Sequence, residues 1–168
     1  YRADLVLLDD LKEFHVNRVW IAGELTAEEG TYLQEVHLHD ISSVKGSVVV
    51  EDFSKEKFKM HLKSGHVHVI GILPGGVVTK KETADIQLDE NGEFVRDPKV
   101  DIVKTAVVER HQGTGNVACG FLKGYGIKEG AVALSIAHDS HNIIVVGVSD
   151  EEMEAAVNAL IAQEGGIV

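Results

Sequence analysis

Gly130-Ala131-Val132-Ala133-Leu134-Ser135 and Ile143-Ile144-Val145-Val146-Gly147-Val148 are two apolar runs of strand length. Between them lies Ile136-Ala137-His138-Asp139-Ser140-His141-Asn142, and after them comes Ser149-Asp150-Glu151-Glu152. Short runs of branched apolar side chains bounded by glycine read as buried strands. The next stretch reads as a helix. Ser149 is its N-cap with Glu152 three residues on, and three acids sit in the first turn, where the helix dipole favours anions. Met153, Ala156, Val157, Leu160 and Ile161 fall on one face at helical spacing, and Gly165-Gly166 is expected to end the helix. Strand, polar turn, strand and helix in succession predict an α+β fold, strand-rich, with antiparallel or mixed sheets and a carboxy-terminal helix. Residues 138–142 then carry two imidazoles, a carboxylate, a hydroxyl and an amide on a stiff mount, where scaffolds present functional groups. The competing reading is a turn whose Asp139, Ser140 and Asn142 satisfy their own backbone.

Working outward, Ile102 to Val108 reads as another strong strand, ending in the polar Glu109-Arg110-His111. Asn91-Gly92 is a hairpin signal between Ile86-Gln87-Leu88 and Phe94-Val95. His66 to Leu73 reads as a strand closed by Pro74-Gly75-Gly76, with Val77-Val78-Thr79 as a further run. Phe58, Met60 and Leu62 alternate with Lys59, His61 and Lys63 in strand fashion, and Gly46 to Val50 reads as a strand or a helix entry. One or two short helices are expected elsewhere. Residues 24–40 are polar and mixed and read as a linker. Before them, residues 3–8 and 16–23 form two short strands, which cannot bury a core without partners.

At 168 residues and 44% apolar composition the chain suits one domain or slightly more. A formal net charge of -11 argues against a nucleic-acid partner, because neutralising phosphates needs a basic surface. No apolar run reaches bilayer length, so no membrane partner is expected. The single cysteine, Cys119, excludes an internal disulfide and lies in an apolar setting that suits a buried, inert thiol. With no leader-like pattern at the amino end, a cytoplasmic location is expected.

Nine histidines invite a metal reading. His66 and His68 have the alternate spacing that puts two imidazoles on one strand face, as do His37 and His39. No further ligands follow in strand–helix alternation, and a solvated strand face accounts for the same spacing. Ser140 lacks the Gly-x-Ser-x-Gly elbow of a serine nucleophile. The glycines at 113, 115, 120, 124 and 126 match neither the dinucleotide fingerprint nor the nucleotide-binding loop, and read as turns or close backbone approach.

Ala3-Asp4-Leu5-Val6-Leu7-Leu8-Asp9 with Val16, Val19 and Gly23 resembles the segment that follows the catalytic barrel in the amidohydrolase superfamily. In that family such strands join others from the extreme amino terminus in a small β-sandwich. Val107 to His111, Gly115 to Val117, Gly120 to Gly126, Gly130 to Ala133 and above all His138 to Gly147 resemble the carboxy-terminal domain of bacterial and archaeal adenine deaminases. Leu73-Pro74-Gly75 with Thr79 fits the same pattern.

The resemblance implies that residues 1–30 are an incomplete part of the flanking sandwich and that residues 31–168 are the carboxy-terminal α+β domain, with no (β/α)8 barrel in this chain. It implies an intact hydrolase of purine metabolism that converts adenine to hypoxanthine and ammonia with a binuclear manganese or iron centre in the barrel. No catalytic residue, metal ligand or cofactor is carried over to this chain, which is expected to be inactive alone. The expected partner is the remainder of the same enzyme, with adenine bound by the intact protein and self-association left open. His138, Asp139, Ser140, His141 and Asn142, with Glu109, Arg110 and His111, are the expected substrate-side or interface residues. The other reading is a non-catalytic small-ligand-binding or oligomerisation module.

Overall fold

Side chains alternate across a strand, so the pattern of burial tells which face of a sheet is covered. In the computed structural model, which describes residues 2–168, the chain forms two compact units that divide between Ser43 and Val44. In the first, β1 (Leu5–Leu8), β2 (Val16–Ile21), β3 (Glu24–Glu28) and β4 (Thr31–Tyr32) form an antiparallel sheet in that order. Ala22-Gly23 and Glu29-Gly30 make the tight connections, each with both residues at positive φ, as the twist of a two-residue hairpin requires. The expected linker over 24–40 is thus corrected, since its first part forms β3 and β4. Only Glu24 of β3 is exposed, but with Glu24, Thr26 and Glu28 on one face the stretch has just Leu25 and Ala27 to mark the other as apolar. Among the described residues of this unit only Thr26 is buried.

The second unit is built on a six-stranded sheet. Its strands are β5 (His66–Ile72), β6 (Thr79–Asp85), β9 (Ile102–Val108), β10 (Val117–Lys123), β11 (Ala131–Leu134) and β12 (Ile143–Gly147). β7 (Gln87–Leu88) and β8 (Phe94–Val95) form a separate hairpin, and α1 (Asp150–Ala162) closes the order. The strands lie β11-β12-β9-β10-β5-β6, with β10–β5 the parallel pair among antiparallel neighbours. The expected strand-rich mixed fold with a carboxy-terminal helix is therefore present.

One face of this sheet carries the core. Ala133, Val145 and Ala106 form a cross-strand row against Met153, Ala156, Val157 and Leu160 of α1, with Ile143, Val108 and Phe58 beside them. Gly147 makes the close helix approach feasible, because a Cβ there would stand 2.5 Å from Met153 Cγ and 2.8 Å from Ala131 Cβ. A satellite cluster of Val69, Ile102 and Phe121 packs under Met60, Leu62 and Phe94. The opposite face carries the row Leu134, Ile144, Val107 and Ala118, and beside it Val132, Val146, Thr105 and Gly120.

Ser149 caps α1 as expected, accepting from the Glu152 amide at 3.2 Å. Glu152 does more than close the capping box. It accepts from the Ser149 hydroxyl at 2.7 Å and from the Gly130 amide at 3.0 Å, tying the helix start to the approach to β11. The helix ends one step before the expected glycines, with Glu164 at φ 62° taking the left-handed position.

Three further expectations are corrected. Residues 58–62 are not a strand: Lys55–Phe58 is a 3-10 turn, and the Met60 and His61 amides are captured by the Glu93 carboxylate at 3.2 and 2.9 Å. Residues 46–50 form no regular element, although the Val49 amide donates to the Arg110 carbonyl at 2.7 Å and Val48 and Val50 pack on the core. Val77 and Val78 are exposed ahead of β6 rather than part of it. Short helices elsewhere exist as the 3-10 turns Ser42–Val44 and Lys55–Phe58.

Candidate functional site

Residues 138–142 form the connection between β11 and β12, and Glu109-Arg110-His111 follow β9, the strand beside β12. Two groups far apart in sequence are thereby brought to one end of the sheet. The Arg110 guanidinium donates through Nε to the His141 carbonyl and through NH1 to the Ser47 carbonyl at 2.9 Å. His111 Nε2 donates to the Ser140 carbonyl at 2.7 Å, and the Arg110 amide donates to Asn142 Oδ1 at 3.4 Å. Arg110 and His111 thus grip the backbone of the 138–142 loop and leave most of its side chains free.

The loop needs that grip. Asp139 and His141 hold positive φ values of 73° and 50°, a region that costs a non-glycine residue about 1–2 kcal/mol. The His141 amide donates to the Ala137 carbonyl at 2.8 Å and the Ser140 amide to the His138 carbonyl at 3.1 Å, closing tight turns. His138 Nδ1 stands 2.9 Å from Asp139 Oδ1, and both side chains project into solvent, 96% and 88% exposed. The competing turn reading holds for the backbone of Ser140 and Asn142, whose Oγ and amide lie 3.4 Å apart. It leaves His138 and Asp139 without a packing role.

Glu109 is an anchor rather than a free base. Its carboxylate accepts from the backbone amides of Thr114, His111 and Gln112 and from the Thr114 hydroxyl. These donors, the Thr114 amide foremost, hold its pKa down at about 2. The 109–116 loop is further fixed at Gly115, whose carbonyl accepts from Lys57 Nζ at 2.8 Å and whose φ is 67°. A shallow depression beside it is lined by Val107, Glu109, Asn116, Val117, Ala118 and Asn142. Asn116 was not singled out as a site residue by sequence. Only its place just before β10, where its carbonyl accepts from the Glu109 amide at 3.0 Å, puts it here.

The remaining candidates lie elsewhere. His66 and His68 do share the exposed face of β5, but His66 Nδ1 is engaged by Asp85 at 2.8 Å. Among the described residues no group of three or more His, Cys, Asp or Glu stands close enough to hold a metal ion, so the residues present do not fit the binuclear centre implied by the resemblance. His37 and His39 are exposed in the stretch after β4. Cys119 is half-buried rather than fully buried, with burial pushing its thiol pKa up, which suits an unreactive thiol.

Sequence reasoning missed one polar cluster. The Lys104 ammonium, 6% exposed, donates to the Phe58 carbonyl at 3.0 Å and to Asp150 Oδ1 at 2.7 Å, and Lys59 lies 3.4 Å from Asp150. Glu93 nearby has its pKa lowered; burial opposes this, but the His61 and Met60 amides outweigh it. A lysine amid Ile102-Val103 and Ala106-Val107 was the available signal. Every member finds its partner within the domain, so the cluster fastens α1 to the sheet.

The fold and this loop define a one-sided α+β domain that presents a pinned polar turn at one end of a mixed sheet. Residues 76–168 match the family described as adenine deaminase C-terminal domain, and the chain belongs to that family. It is similar to "Adenine deaminase 2" of Desulfotalea psychrophila, 59% identical over 99% of this chain and 29% of the relative. It is also similar to "Adenine deaminase" of Ligilactobacillus salivarius, 47% identical over 99% of this chain and 29% of that relative. A third, "Adenine deaminase" of Brucella anthropi, is 42% identical over 99% of this chain and 29% of its own length. The chain therefore spans under a third of the curated relatives it matches. No helix among the described residues is long and apolar enough to cross a membrane.

Proposed function

We propose that this chain is the carboxy-terminal portion of an adenine deaminase. The intact enzyme hydrolyses adenine to hypoxanthine and ammonia in the cytoplasm, as part of adenine catabolism. The chemistry belongs to a binuclear manganese or iron centre in the preceding barrel, and this chain alone does not turn over adenine. Its contribution is the 138–142 loop, which helps to close the active site or to assemble the domains.

The observation that carries this reading is the division of labour in the loop. Its backbone is gripped by Arg110 and His111, while His138 and Asp139 are held out with no partner except each other. Groups that both donate and accept, fixed in position but not used internally, suit the polar edge of a purine or a neighbouring domain.

The test replaces His138 and His141 with alanine in the full-length enzyme. Turnover of adenine is expected to fall at least tenfold with an unchanged melting temperature. Normal turnover with lowered stability would reduce the loop to a fastening. A companion assay of the 168-residue chain with added manganese is expected to yield no hypoxanthine; turnover there would overturn the assignment of the chemistry to the barrel.

A further inference from the structure

An antiparallel sheet with one face in water places polar side chains outward. The face of the six-stranded sheet opposite α1 does not follow that rule. In the rows Leu134-Ile144-Val107-Ala118 and Val132-Val146-Thr105-Gly120 there is no charge, in a chain that is 26% charged. Thr105 is the one polar member, and its hydroxyl is already spent on the Val145 carbonyl at 3.0 Å. Val107 is 39% exposed and Ala118 is exposed. Leu134, Ile144 and Val132 are half-buried and Val146 is buried at 4% exposure, although α1 packs on the other side.

This apolar area has an edge and a direction. Across β5 and β6 the same face becomes mixed, with the exposed Ile70 and Ile72 beside His66, His68, Lys81 and Thr83. In the other direction Val107 and Ala118 run into the depression that Asn116 and Asn142 share with the 138–142 loop. A body seated on the apolar rows therefore reaches the loop as well.

We propose that this face docks against the part of the polypeptide that lies outside this segment in the full-length relatives, an inference that rests on the reading of the chain as a portion of a longer deaminase. Three observations select that occupant. More than two thirds of each relative's length is outside the match, enough for a body larger than this domain. A partner in the same polypeptide is present at high effective concentration, so an uncharged face of this kind is covered as soon as both parts fold. The face is continuous with the loop to which that reading assigns contact with the same body.

Thiol accessibility tests this without reading activity. Val107→Cys, Ala118→Cys and Ile144→Cys are made singly, with Thr83→Cys on the polar side as control, and the slow reaction of Cys119 is subtracted. Each is labelled with a maleimide in the 168-residue chain and in that chain joined to the preceding part of the Desulfotalea psychrophila relative. Labelling on the apolar rows is expected to be fast in the chain alone and at least tenfold slower in the joined protein, with the control fast in both. Equal rates in both overturn the proposal. Rates already slow in the chain alone overturn it too, and sedimentation then tells whether a second copy covers the face. Val107→Lys supplies a second readout, expected to leave the melting temperature of the chain alone unchanged and to restore fast labelling at 118 in the joined protein. Loss of turnover in the loop variants bears on the proposed function only, so the two readings fail separately.

Discussion

The two units of this chain use similar strand lengths to opposite effect. The sheet of β1 to β4 has the hairpin turns of a well-formed meander, yet Leu5, Val6 and Leu7 are 46–59% exposed and Thr26 alone is buried among its described residues. The six-stranded sheet buries Phe58, Val108, Ile143, Val145, Met153, Val157 and Leu160 completely under α1 and the 55–58 turn. Backbone pairing is satisfied in both; only one has a core. Hydrogen-bonded strands are a scaffold, and apolar area removed from water supplies most of the stability.

The largest separation between the units is expected at Phe58. Phe58→Ala empties a site at zero exposure and should cost about 3–5 kcal/mol in a denaturant melt of the second unit. Close behind, Asp150→Asn leaves the Lys104 ammonium buried with only the Phe58 carbonyl, a loss of about 3 kcal/mol in the same melt. A cost below about 1 kcal/mol would mean that water reaches Lys104.

A local effect comes next. Glu109 has its pKa held at about 2, against an ordinary 4.5. A carboxylate lowered on folding stabilises above its unfolded pKa and loses that contribution as the pH falls through its folded one. The 109–114 loop should therefore stay closed at neutral pH and loosen between about 4.5 and 2, read from amide exchange at His111 and Thr114. In Glu109→Gln those amides should exchange faster at pH 7 and show no further change across that window. The smallest effect is expected in the first unit: Val6→Ala should cost less than about 0.5 kcal/mol, because the side chain is 59% exposed. A larger cost would show that this sheet hides apolar surface.

The same contrast explains what could be read from the sequence. Ile102–Val108, Ile143–Gly147 and α1 were legible because burial wrote their periods into the residues. β3 was illegible because Glu24, Thr26 and Glu28 leave only Leu25 and Ala27 to mark an apolar face, and residues 58–62 misled because Glu93, far along the chain, takes up amides that a strand neighbour would have used. Both polar groups of the candidate site stood out individually. Their junction did not, since Arg110 and His111 bind backbone carbonyls of 140 and 141, and a carbonyl has no sequence signature.

One edge of the larger sheet has a consequence for solubility. β6 is its outermost strand and reads Thr79-Lys80-Lys81-Glu82-Thr83-Ala84-Asp85, with Lys80 and Lys123 flanking Glu82 at 3.4 and 2.8 Å. Such a charged rim discourages another chain from continuing the hydrogen-bonded ladder into a fibril. Replacing Lys80 and Lys81 with valine would turn a guarded border into a template for aggregation, with no change in the fold needed to bring it about.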